Sequence, residues 1–164
     1  EIISAKTAIL FASSAEVGAV ITNAGIKKRT ALKNFGNNLG IAFQIMDDVL
    51  DYSSKQKTLG KEIGDDFFEG KITLPMIITY QKADQQDKIK LKEIFGKNLM
   101  ENGENKEYFS EAMKLIAKYD ALELSVKKAI DYKSLAQENL DVFEDSKEKE
   151  MLLQILEYSI QREF

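Results

Sequence analysis

A chain of 164 residues makes one compact domain or part of one. Its 23 Lys and Arg against 27 Asp and Glu leave a net charge of −4, which argues against a nucleic-acid or anionic-membrane binder, since those need a basic excess. No Cys and no His are present, which excludes disulfides, thiolate nucleophiles, iron–sulfur and Cys-based zinc sites, Ser-His-Asp triads and imidazole bases.

Chemistry must then fall to carboxylates, Lys, Thr, Gln, Tyr or the backbone. Any metal must be a hard, oxygen-loving ion such as Mg²⁺, Mn²⁺ or Ca²⁺. Mean hydropathy is −0.30. The longest uncharged run, Asn34 to Met46, falls short of the roughly 20 residues of a membrane span. The opening Glu1-Ile-Ile-Ser-Ala-Lys carries charges where a signal peptide needs apolar residues. A cytoplasmic protein with no membrane span is expected.

One Pro and 9 Gly are too few for a many-turned β fold, so an all-α chain is expected. The 3–4 spacing of apolar residues predicts helices near 2–24, 28–52, 71–83, 85–95, 105–118, 120–143 and 147–161. The first is already running at Ile2 and Ile3 with no capping side chain ahead of it. A helix entered midway implies upstream sequence. Residues 53–70, with Gly60, Gly64, Gly70 and mixed charge, read as a long ordered loop, and 96–104 as a surface connection. In 120–143, Leu122, Val126, Ile130 and Leu135 stand on one side among Lys and Glu. In the last helix Met151, Leu152, Ile155, Leu156, Ser159 and Ile160 predict one buried face.

The second helix carries the chemistry. With Leu32 at 0° and about 100° per residue, Leu32, Phe35, Leu39, Ala42, Met46, Val49 and Leu50 share one arc, a normal core face. Gly36, Gly40, Gln44, Asp47, Asp48 and Asp51 share another, with Phe43 at its border. No Lys or Arg lies between Gly36 and Tyr52, whereas a solvated acidic face interleaves Glu and Lys at i, i+4. Asp is a poor mid-helix residue, and Gly costs about 1 kcal/mol per position there. Eleven Asp in 164 residues predict about 0.05 chance matches to DDxxD. These points favour a cation site over a solvated face. They also lead to the expectation that the Gly36–Gly40 arc faces a cavity rather than a packed neighbour.

Calcium in an EF-hand needs alternating acids, a mid-loop Gly and a terminal Glu, which DDVLDYSSKQKT lacks. Mg²⁺ takes one or two carboxylates, keeps waters and completes its shell with phosphate oxygens. A phosphate-bearing substrate calls for cations opposite, and the following loop supplies Lys55, Lys57, Lys61 and Lys71. Lys55 and Lys57 read as surface lysines. Lys61 and Lys71, each following a glycine, read as phosphate contacts.

GIAFQIMDDVLDY followed by LGKEIGDDFFEGKITLP resembles the second aspartate-rich region of the trans-isoprenyl diphosphate synthases, the polyprenyl (octaprenyl-like) branch especially. KTAILFASSAEVGA resembles the family's Lys-Thr segment, and LLQILEYSIQREF its C-terminal helix. The resemblance implies an all-α, isoprenoid-synthase-type helical bundle around a central cavity, acting as a homodimer. It implies prenyl transfer: an allylic diphosphate ionises, isopentenyl diphosphate attacks the allylic carbon, and a proton is lost to the departing diphosphate. It makes Asp47, Asp48 and Asp51 the ligands of Mg²⁺ (or Mn²⁺), with Asp47 the direct one. Lys6 and Lys61 would grip the allylic diphosphate with Lys71 assisting, and Thr7 and Gln44 would line the reacting carbons.

The departures carry their own expectations. The family's first aspartate-rich motif, which precedes its Lys-Thr segment, is missing before Lys6, as are the basic residues for isopentenyl diphosphate and those that set product length. Residues 1–164 therefore read as the C-terminal part of a single synthase domain, inactive alone. The alternative is a non-catalytic helical subunit that binds and regulates such a synthase; these often lose the aspartate motif, which is intact here.

Overall fold

The computed structural model describes residues 7–53, 63–100 and 105–161, and every regular element among them is helical. In chain order these are α1 (Ile9–Ile21), α2 (Gly25–Asp51), α3 (Asp65–Phe68), α4 (Leu74–Lys82), α5 (Gln85–Met100), α6 (Lys106–Lys118), α7 (Ala121–Asn139) and α8 (Lys147–Ile160). None of the described helices is long and apolar enough to cross a membrane. The described chain falls into two compact units, residues 7–46 with 127–161, and residues 47–126.

In the first unit, α1 ends where Asn23 takes a positive φ of 53° and Gly25 one of 80°. The Ala24 N–H reaches back to the Ala19 carbonyl at 3.0 Å, which closes the helix end. The chain then returns antiparallel along α2. Arg29 Nε donates to Glu16 at 2.6 Å, Gly36 meets Phe11 and Ala12, and Gly40 meets Ala8.

This register overturns the expectation that Gly36 and Gly40 face a cavity. A Cβ on Gly36 would stand 2.6 Å from the Phe11 carbonyl carbon and 2.8 Å from Ala12 Cα, and one on Gly40 2.6 Å from Ala8 Cα. Without side chains the two backbones can close together. What approaches this face is α1, not a substrate. Gly36→Ala is therefore expected to lower the melting temperature, since forcing atoms into a packed contact costs about 1–3 kcal/mol. Gly18→Ala is the control: its Cβ would meet nothing within 4 Å, so helix propensity alone should make it neutral or stabilising. An unchanged Tm for Gly36→Ala would contradict the close-packing account.

The rest of this unit's core joins Phe35 and Leu39 of α2 to Ala136, Leu140 and Leu156, with Phe11, Leu32, Leu152 and Leu153 around them. The predicted faces of α7 and α8 need correction. Ile130, Leu135, Met151 and Ile155 are substantially exposed, while α7 buries Ala121, Ser125, Ala129 and Ala136 and α8 buries Leu156, Ser159 and Ile160. Along α7 the fully buried positions are small residues, while Ile130 and Leu135 stand outside. The helix stops at Asn139 rather than 143, and α8 restarts with Ser146 accepting the Lys149 N–H at 3.2 Å.

The second unit is built on an aromatic and aliphatic core of Tyr52, Phe67, Met76, Leu91, Ile94, Leu115 and Ile116. Thr73 and Pro75 start α4, and Asn105 caps α6 by accepting the Glu107 N–H at 2.9 Å. Two expectations change here. The segment 53–70, read as a loop, contains the one-turn helix α3. Helix α5 continues through Gly96 to Met100, so 96–100 is helix rather than surface connection. Leu91 and Ile94 bury the face of α5 leading into that turn, and their packing outweighs the poor helix propensity of one glycine. Gly64 (φ 90°) needs its missing side chain, because a Cβ would lie 2.5 Å from the Phe109 ring.

Candidate active site

The end of α2 places Asp47, Asp48 and Asp51 in the last turns of a long helix with no basic residue in its final turn. Helix C-termini carry partial negative charge, so carboxylates are unfavourable there. Burial compounds this: Asp48 is 6% and Asp51 5% exposed, and Asp47 is partly buried. A solvated acidic face does not describe Asp48 or Asp51.

Asp51 is the anchor of the following segment. Its backbone carbonyl accepts the Gly64 N–H at 2.8 Å, and its Oδ2 accepts the Asp66 N–H at 3.0 Å. Asp66 Oδ1 in turn accepts from Lys71 Nζ at 2.7 Å, and the Lys71 N–H bonds the Asp66 carbonyl at 2.8 Å. One residue on from Asp51, the buried Tyr52 hydroxyl pairs with Thr73 Oγ1 at 2.9 Å. The chain from Gly64 to Thr73 is thus tied back to the end of α2 through Asp51 and Tyr52. Burial, and then the neighbouring Asp66 carboxylate, push the Asp51 carboxyl up to about 7, against the pull of the Asp66 N–H. Burial also raises the Tyr52 phenol.

The other predicted residues fall as follows. Thr7 Oγ1 donates to Gln44 Oε1 at 2.8 Å, which brings these two side chains together. Lys71 is half exposed and paired with both Asp66 and Glu69, at 2.7 Å each. Those bonds hold its ammonium above the usual range. Lys6 and Lys61 lie outside the described residues. Asp66 links Asp51 to Lys71, and sequence reasoning misses it. Its signal is a pair of acids directly after Gly64, with Asp66 five residues ahead of Lys71.

For a divalent cation, the donor set fits in kind: all oxygen, mostly buried, at the negative end of a helix and without a basic counter-charge in its last turn. Among the described residues no three carboxylates converge on one point. Mg²⁺ requires no such cage, since waters and substrate phosphates fill most of its shell.

The model of the polyprenyl synthetase family matches residues 1–131. A geranylgeranyl diphosphate synthase of Methanosarcina mazei is 38% identical over 165 residues, covering 100% of this chain and 48% of its own. Two crystal structures superpose closely. The decaprenyl diphosphate synthase of Rhodobacter capsulatus has a TM-score of 0.87 at 35% identity, over 98% of this chain and 48% of its own. The polyprenyl synthase of Caulobacter crescentus, solved with calcium and isoprenyl diphosphate, has a TM-score of 0.87 at 36% identity, over 99% and 48%. The chain belongs to the polyprenyl synthetase family, and it has the all-helical fold of its members. It spans about half the length of the curated relatives it matches.

Proposed function

We propose that residues 1–164 form part of a trans-polyprenyl diphosphate synthase domain, which condenses isopentenyl diphosphate with an allylic diphosphate to give a longer all-trans polyprenyl diphosphate. The observation that carries this reading is the end of α2, where Asp48 and Asp51 are buried with no basic residue in the last turn. Asp47, Asp48 and Asp51 would hold Mg²⁺, with Mn²⁺ as a substitute. Bound there, the ion supplies charge neutralisation for the departing diphosphate.

The chain's own residues account for the rest. Lys6, Lys61 and Lys71 bind diphosphate oxygens and hold the leaving group as it gains charge. Lys71 exchanges the exposed Glu69 for phosphate to do so and keeps Asp66. Thr7, its proton given to Gln44, keeps oxygen lone pairs that stabilise an allylic cation without trapping it. The proton lost from the condensed product passes to the departing diphosphate, as the family resemblance implies, and the absence of histidine from these 164 residues is consistent with that. The whole enzyme is proposed to be a cytoplasmic homodimer. A chain holding one aspartate-rich motif is proposed to make no product by itself.

Lys61→Ala tests the diphosphate assignment. In an active enzyme containing this chain, KM for the allylic diphosphate is expected to rise about tenfold or more, the loss of a charge-assisted bond. The melting temperature should hold. Unchanged KM and kcat would return Lys61 to the solvated surface.

A further inference from the structure

Helix α5 carries a polar side chain into the core of the second unit. Asn98 is fully buried on the same face as Leu91 and Ile94. Its Nδ2 donates to the Phe67 carbonyl at 2.8 Å, and its Oδ1 is buried with no hydrogen-bond partner among the described residues. A buried acceptor left without a donor is costly, and a leucine of similar volume would avoid that cost. What the amide supplies instead is a fixed donor for one backbone carbonyl. That carbonyl closes α3: it also accepts the Gly70 N–H at 3.0 Å. The next residue, Leu99, lies directly against Gly70, where a Cβ would collide with its side chain. The last turn of α5 is therefore the seat of the segment Asp65–Lys71.

We infer that Asn98 is a positioning residue, which holds α3 so that the Asp66 N–H stays on the Asp51 carboxylate and the Asp66 carboxylate stays on Lys71. Phe67 directly follows Asp66, so a shift of the Phe67 carbonyl moves both of Asp66's contacts. The inference deepens the diphosphate-site reading and rests on it only for its kinetic consequence.

Amide hydrogen exchange on the intact chain tests the geometry without any turnover. In Asn98→Leu, exchange at the Asp66 amide is expected to accelerate about tenfold or more, while Leu115 and Ile116 amides in α6 stay within about twofold. Leu99→Ala gives a second reading should Asn98→Leu fail to fold. Leu99 is 54% exposed, so its truncation leaves the core intact, and the same site-selective acceleration is expected with smaller amplitude. In an active enzyme containing the chain, Asn98→Leu should also raise KM for the allylic diphosphate about fivefold at unchanged Tm. Unchanged exchange at Asp66 in the folded variants would overturn the inference. So would equal acceleration across α3 and α6, which reports only lost global stability. Selective exchange with an unchanged KM would uphold the positioning and count instead against Lys71 as a diphosphate contact.

Discussion

Asp47→Ala, in an active enzyme containing this chain, is expected to lower kcat by about 10²-fold or more while KM for the allylic diphosphate changes only a few-fold. Breaking the carbon–oxygen bond moves negative charge onto the leaving diphosphate, so an interaction that grows with that charge acts on the transition state more than on the bound substrate. Asp47 is the least buried of the three aspartates, and its truncation leaves α2 and its core face of Met46 and Val49 in place. Tm should therefore move little. A variant with wild-type kcat would remove Asp47 from the metal site.

The second large effect is on stability, in the metal-free chain. The Asp51 carboxyl sits at about 7 in the fold against 3.8 ordinarily. A group raised in this way is protonated in the folded chain at pH values where the unfolded chain has already ionised. Its stabilising contribution is complete below about pH 4 and is lost as pH rises through about 7. At about 1.36 kcal/mol for each pH unit between those two values, the loss is on the order of 4 kcal/mol at most. That is large beside the roughly 5–15 kcal/mol that holds a typical domain together. Metal-free Tm is thus expected to fall between about pH 4 and pH 7. In Asp51→Asn, which keeps an oxygen for the Asp66 N–H and cannot ionise, that fall should flatten. Wild-type stability that rises over this range, or an Asn variant with the same slope, would contradict the burial account of Asp51.

These two residues also mark what can be read from sequence. The proposed ligands Asp47, Asp48 and Asp51 stand out in the sequence because acids at i, i+1, i+4 lie on a stretch, Gly36 to Tyr52, without Lys or Arg. Spacing reports what is adjacent on one helix. The neighbours of that helix are another matter. Gly36 and Gly40 announce that something comes close, but not whether it is a substrate or the α1 backbone. Along α7, hydrophobicity points to Ile130 and Leu135, whereas the buried positions are Ala129 and Ala136, because close packing selects small size over apolar area. Asp66 offers only the acid pair after Gly64 as a signal and Asn98 offers none, for a related reason. Each matters through a backbone group distant in sequence from its partner, the Asp66 N–H on Asp51 and the Phe67 carbonyl on Asn98. Side-chain patterns do not encode such contacts.

The most direct test of the central claim is incorporation of radiolabelled isopentenyl diphosphate into extractable lipid, with Mg²⁺ and an allylic diphosphate primer. The 164-residue chain is assayed alone and together with a co-expressed segment carrying a first DDxxD motif. On the proposed reading a diphosphate is clamped through metal from two aspartate-rich motifs, of which this sequence carries one. Label is expected in lipid only when both motifs are present, and only with Asp47 intact. Robust incorporation by the purified chain alone, or by the combined pair carrying Asp47→Ala, would contradict the account.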